Sequence, residues 1–272
     1  MMRLHVPLFV IAGGLAFAAR FAPMAIAGDP QATNAAAPGI PVPAMPTISK
    51  SELDGGLVIE DMKIGDGPEV TPASIIVAHY QGTLKADPAA VFDSSFARGE
   101  PVGLPLSAVI PGWQRGIPGM RVGGIRRLTI PAALAYGDRS PSPAIPANSD
   151  LIFVVQVVDV LRVEELAVGD GDPISGRWVA LAAFTIRDEH GKVIESHTAS
   201  DPYLLVQNEY QPFSLGLEGM RRGGKRRLTV PAALAHSNPA FKSARPENVP
   251  LTIEIELLNV RNLPPDENAP NC

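Results

Sequence analysis

Cysteine is almost absent from this chain of 272 residues, which carries a single one, Cys272, at its last position. No disulfide can therefore form within the chain, and its stability must come from packing. A lone terminal thiol could cross-link two chains or stay free. We interpret it as an incidental residue of a C-terminal tail, residues 264–272.

The sequence also has no strong excess of one charge, and its histidines do not have metal-ligand spacing. The formal net charge is −5, and charged residues make up 19% of the sequence. This charge gives no reason to expect nucleic acid as a partner. The histidines are too scattered for a metal site, so we expect no metal and no cofactor. They are His5, His79, His190, His197 and His236.

The sequence also lacks the signature of a serine hydrolase. His79 precedes an Asp93-Ser94-Ser95 segment, but no serine stands in a Gly-x-Ser-x-Gly turn. We interpret the two serines as turn residues. His79 alternates with Tyr80 along a strand and is predicted to face solvent.

Hydrophobic runs long enough to span a membrane are missing. The N-terminal run, Val6–Ala19, has 14 residues and ends at Arg20, whereas a transmembrane helix needs about 20. With Arg3 before the run and Ala25-Ile26-Ala27 after it, residues 1–27 fit a cleaved signal peptide better than an uncleaved anchor. We predict an exported, periplasmic protein with no stable membrane insertion after cleavage. Residues 28–49, rich in Ala and Pro, read as a linker.

An internal repeat is the most informative feature present. Residues 119–137, GMRVGGIRRLTIPAALAYG, return as residues 219–237, GMRRGGKRRLTVPAALAHS, with 14 of 19 positions identical. A period near 100 residues is too long for a solenoid and indicates two tandem domains of similar fold. We place the domains at residues 50–161 and 162–263.

Within the first copy, hydrophobic alternation predicts strands at Leu57–Ile64, Ser74–Leu84, Gly124–Ile130 and Leu151–Leu161. Proline at the first helical position predicts a short helix, Pro111–Ile117. The 28 prolines and 25 glycines favour such short elements. The fold class is therefore α+β, with an antiparallel sheet folded over a helix in each copy.

Five segments of the first copy carry a family resemblance: VAHYQGTL, VFDSS, VIPGW, RRLTIPAALAYG and IPANSDLIFVVQVVDV, in this order. They closely resemble the FKBP-type peptidyl-prolyl cis–trans isomerases. The proline-binding pocket of these isomerases also binds the drug tacrolimus. The resemblance implies a curved sheet around a short helix, a proline-binding pocket between them, and proline-containing polypeptides such as unfolded exported proteins as substrates.

The resemblance also implies a set of site residues. The catalytic pocket would contain Tyr80, Phe92, Asp93, Trp113, Tyr136 and Phe153. Further substrate-binding positions would be Val102, Val109, Ile110 and Ile145. In this family the backbone N–H at Ile110 and the hydroxyl at Tyr136 commonly hold substrate carbonyls, and an aromatic residue is common at the Val102 position.

The residue types themselves favour a pocket. Aromatic rings at strand spacing are usually ordinary core, but Tyr80, Asp93 and Tyr136 add polar groups that need partners or a ligand. A dry aromatic pocket can favour the twisted amide of an X-Pro bond over the planar one without a covalent step. We give Asp93 a supporting electrostatic role and expect Tyr80 and Tyr136 to donate hydrogen bonds.

The second copy keeps the scaffold and loses these side chains. By alignment Phe213 replaces Trp113, His236 replaces Tyr136 and Ile253 replaces Phe153, while Tyr80 has no tyrosine counterpart. Ile194 and Glu195 replace Phe92 and Asp93. We predict little or no isomerase activity in this copy, which could instead bind clients, mediate self-association or brace the first.

Two alternatives stay open at this point. The whole chain could be a non-catalytic module that binds proline-containing segments or unfolded clients. The basic residues of the repeated segment could form a basic binding face, although charges on a half-exposed strand are more often solvated. They are Arg121, Arg126 and Arg127 in the first copy and Arg221, Arg222, Lys225, Arg226 and Arg227 in the second.

Overall fold

The computed structural model describes residues 45–207, 209–235 and 249–264. The predicted signal peptide 1–27, most of the linker 28–49, His236, Cys272 and nearly all of the tail 264–272 therefore lie outside the described residues. Below, residues 45–161 are called the first half and residues 162–264 the second half.

The first half contains seven strands and two short helices. The strands are β1 (Ser49–Leu53), β2 (Leu57–Lys63), β3 (Ile75–Leu84), β4 (Val91–Ser94), β5 (Val102–Pro105), β6 (Ile125–Ile130) and β7 (Leu151–Ala167), the last of which continues into the second half. The helices are α1 (Ser95–Arg98) and α2 (Pro111–Gly116), with single 3-10 turns at Leu106–Ala108 and Ala132–Leu134.

The second half repeats this order. Its strands are β8 (Arg177–Arg187), β9 (Val193–His197), β10 (Tyr203–Val206), β11 (Lys225–Val230) and β12 (Leu251–Leu263). Its helices are α3 (Gln211–Gly216) and α4 (Ala232–Ala235).

All described strands pair antiparallel, in a curved sheet whose main path is β1-β2-β6-β7-β11-β12-β8-β10. Strand β3 pairs with β7, β4 and β5, and β9 pairs with β8. Strands β2, β3, β6 and β7 and helix α2 confirm the five elements predicted for the first copy, because alternating apolar residues and a proline at the helix start are strong local signals.

Strand β7 is longer than predicted. It has 17 residues, pairs with β3 and β6 through its first part, and pairs with β11 through Arg162–Ala167. The domain boundary predicted between residues 161 and 162 thus falls inside a continuous strand. Strand β1 was not predicted, because its five residues are all exposed and carry no apolar alternation.

The apolar side chains form two clusters. One lies between α2 and the first half of the sheet and contains Trp113, Phe153 and Leu128. The other is centred on the second half, but it includes Val77 and Leu161, both at most 4% exposed. Apolar side chains of the first half are therefore buried in the cluster of the second half, so the two halves are in direct contact.

Arg126 corrects the interpretation of the repeated arginines as solvated. It is 9% exposed, and its Nε donates to Asp61 Oδ1 at 2.7 Å while Nη1 donates to the carbonyl of Gly116 at 2.7 Å. Arg226 makes the equivalent bonds to Glu165 and Gly216 in the second half. Each arginine ties the C-terminal carbonyls of a short helix to the sheet, where otherwise unsatisfied acceptors would remain.

Candidate active site

Four aromatic rings meet in one cluster of the first half. The Trp113 ring from α2 lies edge-on to Phe153 of β7 at 5.2 Å and to Tyr80 of β3 at 5.7 Å, between centroids. Phe92 is partly buried, and its ring centroid lies 5.5 Å from that of Phe153. Edge-to-face packing at these distances is favourable, so the rings hold one another in fixed orientations.

Glycine at position 82 permits this packing. A Cβ there would lie 2.5 Å from Phe92 Cε2 and 2.7 Å from Phe153 Cε1, closer than real contacts allow. Gly82 is paired with both Phe153 and Asp93 in the sheet, so the backbone itself forms the wall behind the two rings.

A polar corner adjoins the rings. The Tyr80 hydroxyl donates to Asp93 Oδ2 at 2.5 Å, Arg98 Nη1 donates to Asp93 Oδ1 at 2.5 Å, and Arg98 Nη2 donates to the Tyr80 oxygen at 3.0 Å. Asp93 is 9% exposed, and the arginine neutralises its charge where burial would otherwise be costly.

This corner changes the expected role of Tyr80. Its hydroxyl donates a hydrogen bond to Asp93, so Tyr80 presents its ring to the cluster and does not offer a free hydroxyl. Burial, with the Asp93 charge and hydrogen bond adding to it, raises the pKa of Tyr80 far above its ordinary value. For Arg98, burial acts to lower the pKa, but the hydrogen bond and charge of Asp93 raise it overall.

The two serines that follow Asp93 are structural, as predicted. Ser94 Oγ accepts from Ala97 N and caps helix α1, and Ser95 Oγ accepts from Tyr80 N at 2.7 Å. His79 is half-buried rather than simply facing solvent: its ring stacks on Phe96 at 4.8 Å, and its Nδ1 lies 3.3 Å from Ser95 Oγ. Burial lowers the pKa of His79.

Helix α2 begins beside the rings. Val109 and Ile110 are each 2% exposed, and Pro111 occupies the first helical turn. The Ile110 carbonyl accepts from Trp113 N at 2.9 Å and from Gln114 N at 3.2 Å, while no group in the described residues accepts from its N–H. The Trp113 Nε1 likewise has no partner among the described residues.

The remaining predicted residues lie around this cluster. Ile145 is 4% exposed, and Tyr136 and Val102 are half-buried, all against the same apolar group. The structure thus brings the ten predicted side chains to one cluster. Sequence reasoning missed Arg98, whose signal was its position five residues after Asp93, at the end of α1 and just before the left-handed Gly99.

The register of the second half identifies its corresponding positions. Tyr80 pairs with Val155, and the corresponding Ile255 pairs with Phe184, so a phenylalanine stands in the place of Tyr80. By the same register Glu195 and Ile253 take the places of Asp93 and Phe153, in agreement with the alignment. Tyr203, paired with Ala182, takes the place of Val102.

The second half lacks the polar corner in this form. Glu195 Oε1 lies 3.2 Å from His197 Nε2, whereas Asp93 in the first half accepts from Tyr80 and Arg98. Phe184, whose ring is tilted against that of Phe213 with 5.1 Å between centroids, has no hydroxyl with which to donate to a carboxylate. The scaffold is repeated, and the chemical groups of the first half are not.

The first half thus brings four rings, a charge-neutralised polar corner and the backbone N–H of Ile110 together beside helix α2. The family model for FKBP-type peptidyl-prolyl cis-trans isomerase matches residues 67–158 and again residues 174–258. These two segments make up more than half of the chain, which therefore belongs to the FKBP-type peptidyl-prolyl cis-trans isomerase family.

Two curated relatives each match about two fifths of this chain. The chain is 38% identical over 111 residues to the 46 kDa FK506-binding nuclear protein of Spodoptera frugiperda, covering 41% of this chain and 27% of that protein. It is 41% identical over 118 residues to the peptidyl-prolyl cis-trans isomerase FPR2 of Saccharomyces cerevisiae, covering 41% of this chain and 84% of that one. The match thus spans only about a quarter of the first relative.

A bacterial relative has a solved structure. The FKBP-type isomerase FkpA of Escherichia coli is 41% identical over 105 residues, covering 39% of this chain and 38% of FkpA. Its crystal structure matches with a TM-score of 0.38 and 39% identity, over 41% of this chain and 51% of that one.

None of the helices among the described residues has the length and hydropathy to cross a membrane. Among the same residues, no group of three or more His, Cys, Asp or Glu side chains is arranged to hold a metal ion.

Proposed function

We propose that this chain is a peptidyl-prolyl cis-trans isomerase whose active site is the ring cluster of the first half. The observation that carries the proposal is the meeting of Tyr80, Phe92, Trp113 and Phe153 beside the N–H of Ile110, which has no acceptor among the described residues. In a family member, this places an apolar floor next to a donor for a substrate carbonyl.

The proposed chemistry is noncovalent. Rotation about an X-Pro bond must overcome loss of amide resonance, a barrier of about 18–20 kcal/mol. A site that excludes water and contacts the proline ring with Trp113 favours the twisted amide, whose carbonyl is less polarised, over the planar one. About 4 kcal/mol of such preference would accelerate the reaction roughly a thousandfold.

Each side chain then has a role. Trp113 forms the floor under the proline ring, and Phe92 and Phe153 form walls with Val102, Val109 and Ile145 at the rim. Asp93 keeps Tyr80 in position and supplies an electrostatic field partly balanced by Arg98. The Ile110 N–H and the Tyr136 hydroxyl hold the substrate carbonyls.

The second tryptophan provides a matched test. Trp113 and Trp178 are both at most 1% exposed, and Nε1 of each lacks a partner among the described residues. Trp113→Leu and Trp178→Leu should destabilise the chain by similar amounts, about 3–5 kcal/mol at most. Only Trp113→Leu should lower kcat/KM in a proline-isomerisation assay on a short peptide, by tenfold or more.

The same assay tests the rival function, a proline-binding module without turnover. That function would be favoured if the unmodified chain gave a rate no higher than the Trp113→Leu variant while still binding the peptide. Equal loss of activity in both tryptophan variants would mean that stability, not the ring cluster, controls the rate.

We infer that the chain is built from two tandem FKBP-like domains, at residues 50–161 and 162–263, and that the second is degenerate and catalytically silent. The two family matches, the repeated strand order and the loss of the tyrosine–aspartate–arginine corner support this. Phe213→Ala added to Trp113→Leu should leave the residual kcat unchanged, and a lower residual kcat would assign turnover to the second half.

We infer that the protein is exported, in the periplasm of a bacterium, and acts on proline-containing segments of unfolded exported proteins. The N-terminal composition supports export. N-terminal sequencing of the secreted protein should begin at Gly28, and an intact Met1 would contradict cleavage. Relatives named for FK506 binding support tacrolimus as a ligand, which should inhibit the peptide assay competitively.

A further inference from the structure

Helix α3 of the second half lies directly against strand β5 of the first. Gln211 Nε2 donates to the Gly103 carbonyl, with 3.4 Å between the atoms. A Cβ on Gly103 would lie 2.8 Å from Leu215 Cδ1 and 3.1 Å from Leu234 Cδ1. The absence of a side chain at Gly103 therefore lets the two leucines reach the backbone of β5.

Strand β5 separates two sets of side chains. Val102 and Leu104 pack against the ring cluster, and Gly103, between them, faces α3. Within the described residues β5 has four residues and pairs only with β3. A strand so short with one partner has few bonds of its own, so contacts on its other side decide its position.

Strand β3 is shared in the same way. Ile75 and Val77 belong to the apolar cluster of the second half, and Val77 is fully buried there. Ile76, Ala78 and Tyr80 belong to the cluster of the first half. The second half therefore packs against the back of both strands that carry Val102 and Tyr80.

We propose that α3 is a positioning element for the binding site and that Leu215 and Gln211 are its positioning residues. They fix β5, and so set the distance of the Val102 wall from Trp113 and the rings. This rests on the proposed function of the first half, and gives the second half a part in substrate selection that does not require turnover of its own. Neither residue touches the substrate.

The test uses the full chain with Leu215→Ala, and Leu204→Ala as the matched control. Leu204 lies on β10 in the same half and is 56% exposed. Leu215→Ala should raise KM about threefold or more with kcat within about twofold, because a shifted wall weakens binding of ground and transition state alike. It should also change the ratio of kcat/KM between Leu-Pro and Ala-Pro peptides, and Leu204→Ala should change neither.

A double-mutant cycle makes the route specific. If Leu215 acts through Val102, the effects of Leu215→Ala and Val102→Ala on KM should not multiply, and the double variant should resemble Val102→Ala alone. Gln211→Ala, which removes one hydrogen bond and leaves the leucine contacts, should cause a smaller shift in the same direction. Loss of packing stability alone would lower the Tm without altering peptide preference.

Two results would overturn the inference: unchanged KM and peptide preference in Leu215→Ala, or effects that multiply in the double variant. Absence of turnover in the unmodified chain would instead reject the proposed isomerase. In that case the Kd for the same two peptides, measured by calorimetry, replaces KM. Equal Kd values in Leu215→Ala and Leu204→Ala would then reject the positioning role.

Discussion

Tyr80 shows how one hydrogen bond can assign a role that residue type leaves open. A tyrosine in a pocket could donate to a ligand, but this hydroxyl is already bonded to Asp93, which in turn accepts from Arg98. The sequence alone suggested a donor. The missing information was Arg98. Its charge stabilises the buried carboxylate of Asp93, which can then accept a hydrogen bond from the Tyr80 hydroxyl.

This corner predicts the alkaline side of the pH profile. Because burial and Asp93 raise the pKa of Tyr80, its hydroxyl stays protonated through pH 10, the ordinary tyrosine value. We expect kcat/KM on a peptide to stay level between pH 7 and 10 in the unmodified chain and in Tyr80→Phe. An alkaline decline present in the former and absent in the latter would show that Tyr80 ionises in this range.

His79 predicts an acid-sensitive stability. Its folded-state pKa lies below the unfolded value because of partial burial, so the fold favours the neutral ring. That contribution is complete above the ordinary pKa of about 6.5 and is lost as the pH falls below it. The urea midpoint should drop between pH 7.5 and 5.5, and His79→Gln should reduce the drop.

His190, with its side chain 83% exposed, supplies the control for this measurement. His190→Gln should leave the pH dependence of the urea midpoint as it is in the unmodified chain. If both variants behave alike, the acid sensitivity arises elsewhere in the molecule.

At the scale of elements, helices α2 and α3 are each held by an arginine from the strand that follows. Helices of six residues have little stability in isolation. Arg126 donates to the Gly116 carbonyl of α2, and Arg226 donates to the Gly216 carbonyl of α3. Since α2 carries Trp113, the position of the proposed floor of the site depends on Arg126.

Two adjacent arginines of β6 allow a direct comparison. Arg126 is buried and bonded to Asp61 and Gly116, whereas Arg127 reaches Glu60 only at 3.8 Å from a half-exposed position. Arg126→Met should cost about 3–5 kcal/mol, because it leaves a partly buried carboxylate and carbonyl unpaired. Arg127→Met should cost less than about 1 kcal/mol. Urea unfolding measures both, and equal costs would contradict the bracing role.

The elements also show what could be predicted from sequence. Strands with apolar alternation and the helix opening at Pro111 were predicted because their signals are local. Strand β1 and the Arg162–Ala167 extension of β7 were not, since their residues are largely exposed and owe their pairing to neighbours. The ring cluster was anticipated through the family resemblance, and the contact of Gly103 with Leu215 could not be, because no local pattern marks it.

At the scale of the whole molecule, the two halves are packed into one another. Val77 and Leu161 are buried in the apolar cluster of the second half, and β7 pairs with strands of both. The repeat in the sequence predicted two tandem domains of similar fold. Because they share a strand and buried side chains, we expect the stability of each half to depend on the other.

Truncation tests this interdependence. A fragment of residues 45–161 loses the cover over Val77, Leu161 and Gly103, and it should unfold at a Tm at least about 5 °C below that of the first transition of the full chain. Differential scanning calorimetry measures this. A fragment as stable as the full chain would mean that the contacts between halves contribute little.

Strand β7 runs without interruption from Leu151 to Ala167, so a continuous strand rather than a flexible linker joins the two repeats. Most tandem proteins reach different partners by swinging one lobe about a loose tether. Here the connection is itself a hydrogen-bonded strand, paired with β6 before the boundary and with β11 after it. Bending at that point would break sheet hydrogen bonds, so we expect the two repeats to move as one body.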